Sequence, residues 1–266
     1  MSRMPVYFVS HGGGPWPHIE GMRQQYALTE KALRALSGRL PAKPRAILMI
    51  TAHWEADEFT VSTGEHPPMF YDYYGFPANT YQIQYPAPGS PELAAQVASL
   101  LSQAGLAVKA DPVRGFDHGT FVPLMLMYPD ADVPVVMLSL KSSLNALEHI
   151  RLGQALESLR DEGVLIVGSG LSYHNMRGFG RDESTPIATV FDQALADIVA
   201  DRDTGQRNDR LVNWQSIPGA RQVHPREDHL LPLMAIAGAA GNDVGRVWFV
   251  DHVAKVPMAS YEFGRA

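Results

Sequence analysis

The feature that most constrains this chain is a repeated alternation of short, almost wholly apolar runs with longer stretches of helical period. Residues 6–9, 46–51, 133–138, 163–167 and 246–251 are dense in Val, Ile, Leu and Met. Near-continuous apolar strands are what a sheet covered on both faces requires. Between them, 25–36, 91–103, 145–160, 186–200 and 229–239 carry helical patterning; Ser90 and Pro91 supply a cap and a first-turn proline. Strands alternating with helices predict an α/β fold: a mostly parallel, mixed central sheet with helices on both faces. With 266 residues and no internal repeat or low-complexity linker, the expectation is one domain over 1–266. The composition shifts once, at 66–89, which is rich in Pro, Tyr and Phe and reads as an ordered surface excursion.

Composition then removes whole classes of chemistry. The chain has no cysteine, which excludes disulfides, thiolate metal sites, iron–sulfur clusters and cysteine nucleophiles. A net charge of −6 argues against nucleic acid or an anionic membrane as partner. No stretch is long and apolar enough to span a bilayer. The opening apolar run is too short for a signal peptide and breaks at His11, so the cytoplasm is the expected compartment.

What remains conspicuous is histidine. His11 ends the first apolar run and precedes Gly12-Gly13-Gly14-Pro15; His53 ends the second; His174 follows the fourth after a short turn. Ligands in open α/β sheets bind beyond the carboxyl ends of the strands, so three strand-end histidines can converge there. The glycine run lacks both the dinucleotide and the Walker spacing, and its use is close backbone approach or positive φ. His118, in Asp117-His118-Gly119-Thr120, and His229, beside Asp228, lie in polar surroundings next to apolar helical stretches. His224 and His229 are not at the i, i+4 spacing of a helical zinc-protease motif. His149 and His252 read as ordinary core or surface histidines, and His18 and His66 stay undecided. Neutral imidazoles suit zinc, iron or copper, and each ligand usually donates its other ring N–H to an acceptor. Glu55, Asp117 and Asp228 adjoin candidate histidines and are the acceptors to look for.

These motifs also occur in a recognisable order: Ser10-His11-Gly12-Gly13-Gly14-Pro15, Thr51-Ala52-His53-Trp54-Glu55, Tyr74-Gly75-Phe76-Pro77 with Tyr85-Pro86-Ala87-Pro88-Gly89, Asp117-His118-Gly119-Thr120-Phe121-Val122-Pro123-Leu124, Gly168-Ser169-Gly170 with His174-Asn175, and Asp228-His229 with Leu231-Pro232-Leu233. The chain resembles the 4,5-DOPA-dioxygenase-type extradiol dioxygenases of the class III ring-opening superfamily, from Val6 to about Trp248. The resemblance implies opening of a DOPA-like or related catechol beside its two hydroxyls, using O₂ and non-haem Fe(II), to a muconic semialdehyde-type product. It implies His11, His53 and His229 as metal ligands, His174 as a fourth ligand or an acid/base, and His118 as the pocket histidine handling protons or oxygen. The sequence departs from the two-histidine, one-carboxylate set of better-known members by offering His229, with Asp228 and Glu227 beside it. A histidine-only set also suits Zn(II). That leaves two other readings: a zinc hydrolase with Glu55 as base, and a non-catalytic metal-binding or interaction module. For the substrate, Phe70 to Phe76 are candidates to cover the ring, Trp54 and Tyr173 to stack on it, and Arg177 or Arg226 to pair with a carboxylate.

Overall fold

The computed structural model describes residues 2–264. The apolar runs form β1 (Val6–Ser10), β2 (Ala46–Ala56), β5 (Val135–Lys141) and β6 (Val164–Gly170), with two shorter flanking strands, β3 (Phe59–Ser62) and β4 (Val108–Asp111), lying between β2 and β5 in chain order. A terminal hairpin adds β7 (Gly245–Val253) and β8 (Val256–Phe263). Among the described residues these make one sheet in the order β4-β3-β5-β2-β6-β1-β8-β7. Its centre, β5-β2-β6-β1, is parallel, and β3/β5, β1/β8 and β7/β8 are antiparallel, which gives the expected mixed sheet.

The helices are α1 (Glu20–Gln25), α2 (Ala27–Leu36), α3 (Pro91–Gln103), α4 (His118–Met127), α5 (Ala146–Leu156), α6 (Ser184–Val199), α7 (Thr204–Val212), α8 (Ala220–Val223) and α9 (Leu231–Ala239). Side chains alternate across a strand, and β6 uses this to hold two helices on opposite faces. Gly168 lies against the Pro232 carbonyl of α9, while the next residue, Ser169, donates from Oγ to the Gly119 carbonyl of α4 at 2.5 Å. Every residue of α9 is buried, as a helix apolar all round must be, because α5 covers the side turned from the sheet.

Several expectations shift in informative ways. The helix expected over 25–36 is two, broken at Tyr26, whose ring packs on Trp16 and whose hydroxyl accepts the Gly13 N–H at 3.2 Å. Residues 246–251 are not a buried inner strand. They lie in β7, the sheet edge, with half-exposed and exposed positions along it. The hairpin turn there is made by Ala254 and Lys255, both at positive φ (44° and 72°), without the glycine or asparagine that usually marks such a turn. For the same reason β8 is hard to see: its Glu262 is buried because Arg39 and Arg246 pair with it. No described helix is long and apolar enough to cross a membrane.

Candidate active site

The carboxyl ends of the parallel strands lie level, with Ser10 opposite Gly170 and Thr51 opposite Ser169. His11 steps off β1 there, its N–H donated to the Gly170 carbonyl at 3.0 Å. Gly12 turns the chain at φ +80°, and a Cβ on it would meet the Trp16 indole at 2.5 Å, so this turn needs glycine. His53 lies within β2 rather than after it. Ile50 pairs with Leu138 and Glu55 with Leu140, so the stretch between bulges out of the ladder and carries His53 with it.

His118 opens α4, and Asp117 caps that helix by accepting from the Thr120 N–H. His229 sits two residues before α9. Its carbonyl accepts from Leu171 N–H and crowds Gly170, where a Cβ would stand 2.1 Å from it. Glycine at the end of β6 is what lets His229 reach the cluster.

The rings meet closely. Centroids of His11, His53 and His229 are 4.9 to 5.4 Å apart, His118 lies 4.0 Å from His53, and His174 stacks on His229 at 3.4 Å. One ligand atom from each of His11, His53 and His229 lies within 4.8 Å of the others. His174 is not in that group; it clusters with Asp228 and His229, and a further group joins His53, Asp72 and His118.

Each ring is oriented by its far nitrogen. His11 Nδ1 donates to the Gly12 carbonyl at 3.0 Å and His229 Nδ1 to Asp228 Oδ2 at 3.0 Å, which leaves both Nε2 atoms as lone pairs. His11 Nε2 faces His53 Nε2 at 3.3 Å. Burial first, then the neighbouring imidazoles, push the pKa of His11, His53 and His229 well below the ordinary histidine value. All three are therefore neutral, the form that binds a metal. Three neutral imidazoles converging, with the Nδ1 protons of His11 and His229 turned outward, fit a divalent cation. His174 is lowered too, chiefly by burial and against the pull of Asp228.

The residue that sequence reading missed is Asp72. Both its oxygens lie 2.9 Å from His118 Nδ1, one also accepts the His118 N–H, and it is 3.4 Å from His53 Nδ1. Burial alone would raise its pKa, but the hydrogen bonds and charge of His118, with His53, hold it below the usual carboxylate value. Asp72 sits in the aromatic excursion, where only the rings drew notice; no short-range pattern links it to a histidine 46 residues away.

Of the acceptors expected from adjacency, Asp228 serves, and the other two do not. Asp117 is fully buried and accepts from Thr51 Oγ1, Thr120 N–H and Arg114. Glu55 gives both oxygens to Arg226, at 2.5 and 2.6 Å, which leaves the hydrolytic reading without its base.

Above the histidines is a cavity of about 420 Å³ walled by Tyr73, Phe76, Leu171, Met176 and Phe179. Trp54 and Tyr173 do not line it; Trp54 lies under the Arg114 guanidinium and Tyr173 packs on Phe179. Neither Arg177 nor Arg226 lines it. His149 is buried and His252, His18 and His66 are exposed, all four outside the cavity wall.

Residues 5–264 match the family described as the catalytic LigB subunit of aromatic ring-opening dioxygenase. The chain is 40% identical to a 4,5-DOPA dioxygenase extradiol of Beta vulgaris (90% of this chain, 87% of the relative) and 34% identical to one of Escherichia coli K12 (99% and 92%). It is 39% identical to Dioxygenase tasH of Hapsidospora irregularis (99% and 86%). A crystal structure of an uncharacterized protein from Escherichia coli K12 superposes with a TM-score of 0.81 at 32% identity, over 98% of this chain and 100% of that one. A neutral histidine cluster at the strand ends, on this fold and with these relatives, makes the chain a member of the LigB family, a metal-dependent extradiol ring-cleavage dioxygenase.

Proposed function

We propose that the protein opens the ring of a catechol beside its hydroxyl pair, consuming O₂ and releasing a muconic semialdehyde-type product, with His11, His53 and His229 holding non-haem Fe(II). The observation that carries this reading is the convergence of three neutral imidazoles whose Nδ1 atoms are turned away from one another. A bound Fe(II) supplies the one-electron chemistry that lets a singlet catechol react with O₂; Zn(II) suits the same donors and lacks that chemistry.

The remaining groups manage protons and water. His118 has Nδ1 committed to Asp72, so Nε2 is its acceptor, and it lines the cavity where a catechol hydroxyl would sit. Asp72 fixes that tautomer and stabilises the imidazolium formed when the proton arrives. His174 lies flat on His229 with Nδ1 3.8 Å from Asp228 Oδ1, outside the three-histidine group. That placement supports an acid/base role over a fourth ligand. Tyr73 and Phe76 wall the cavity from solvent, and Tyr73 is held there by its hydroxyl donating to the Thr80 carbonyl at 2.6 Å.

The test is anaerobic loading of metal-free protein with Fe(II), addition of a catechol panel, then admission of air. Oxygen uptake with a new yellow chromophore is the expected result. Iron demonstrably bound with no uptake across a broad panel would sink the reading.

A further inference from the structure

We infer that the cavity selects an electroneutral catechol bearing an apolar substituent over catechols that carry a carboxylate or an amino-acid side chain. The inference rests on the ring-opening reading of the same site and names its substrate class.

The wall is the reason. Beyond the histidine floor the cavity is built from Met22, Phe76, Leu171, Met176, Phe179 and Val253, and no Asp, Glu, Lys or Arg lines it among the described residues. Of the cations next to wall residues in sequence, Arg23 pairs with Glu30 and Lys255 with Asp182, while Arg177, beside Met176, is exposed and does not line the cavity. Arg226 is held between Glu55 and Asp228. In the glycine loop, the Gly13 N–H is spent on the Tyr26 hydroxyl.

A catechol's two hydroxyls belong at the histidine floor, so its ring substituent must lie against this wall. An alkyl or aryl group there exchanges water for Met, Leu and Phe contacts, which is favourable. A carboxylate in the same place loses hydration and gains no counter-charge, which is costly. Gln25, at the rim, adds a neutral polar group and suits a hydroxyl or carbonyl on the substituent.

The experiment compares an isopentyl-substituted catechol with its carboxylate isostere, dihydrocaffeate, and with DOPA. Two readouts are taken: kcat/KM for oxygen uptake by the Fe(II)-loaded protein, and the melting-temperature shift each compound causes in the zinc-loaded protein. The alkyl catechol is expected to lead by at least about tenfold in kcat/KM and to give the larger shift. Met176→Arg places a cation on the wall at a position 71% exposed, where folding is unaffected, and should raise kcat/KM for dihydrocaffeate. A wild-type preference for dihydrocaffeate or DOPA, or parity, overturns the inference while leaving ring opening intact. An alkyl preference that Met176→Arg leaves untouched overturns the stated cause. If no catechol is opened or bound, the ring-opening reading itself fails.

Discussion

Two sets of buried histidines in this molecule are equally removed from water and do opposite things. At the strand ends, His11 and His229 each spend Nδ1 on the protein and leave Nε2 free. On the α5 flank, His149 spends both nitrogens. Its Nδ1 donates to the Asn145 carbonyl at 2.8 Å and its Nε2 accepts the Lys141 N–H at 3.2 Å, tying α5 to β5. Burial depresses both sets alike, His149 to about 4. Burial and a perturbed pKa therefore do not separate a histidine with a ring nitrogen turned to other imidazoles from one whose nitrogens are both spent on the backbone; the hydrogen-bond partners do.

The sharpest way to break this contrast is to delete a ring from each set. His11→Ala, His53→Ala and His229→Ala should purify with little metal and no oxygen uptake, checked by elemental analysis and an oxygen electrode. If His229→Ala keeps its metal, Asp228 or Glu227 holds the third position instead. His118→Ala should keep its metal and lose about 10²- to 10⁴-fold in kcat, the usual worth of a positioned acid/base. Asp72→Asn, which leaves His118 in place but removes the charge behind it, should cost about 10- to 100-fold, again with metal retained.

The structural set predicts a different observable. A neutral buried His149 with a folded pKa of about 4 against an unfolded value near 6.5 binds its proton more readily when unfolded. Its contribution is thus fully present above pH about 6.5 and erodes as pH falls toward 4, by roughly 3 kcal/mol in all. Urea melts across that range should show the loss in wild type and a shallower one in His149→Leu. That variant should also lose about 1–3 kcal/mol at neutral pH, from the Lys141 N–H left unpaired, while its metal content stays normal. The smallest effect belongs to Tyr74→Ala. Its side chain is 91% exposed and does not line the cavity, so stability should move by no more than about 0.5 kcal/mol and kcat/KM should not change.

How far the sequence is legible depends on the range over which the signal acts. Apolar runs and helical period are local, so the parallel centre, α3, α5, α6 and α9 were readable within a few residues. The edge strands were not. β4 is Val-Lys-Ala-Asp with its middle exposed, and the β7–β8 hairpin turns on alanine and lysine in place of glycine. The aromatic excursion is another mixed case. Its composition flagged an ordered segment, but which rings face the cavity (Tyr73 and Phe76) and which anchor elsewhere was set by the fold; the Tyr71 hydroxyl, for one, donates to the Ile83 carbonyl.

The amino-acid sequence alone carried the layered α/β architecture, because strand burial on two faces leaves a composition that little else produces. Together with ordered motifs, it also determined which histidines to watch and which family to expect. The fold was needed to show that Asp72, not Asp117, stands behind His118, that Glu55 belongs to Arg226, and that no Asp, Glu, Lys or Arg lines the cavity among the described residues. Those are contacts between segments distant along the chain, set by how helices and loops cross the sheet edge. Adjacency in sequence says nothing about them, since a residue beside a histidine can point its carboxylate into any face of the fold.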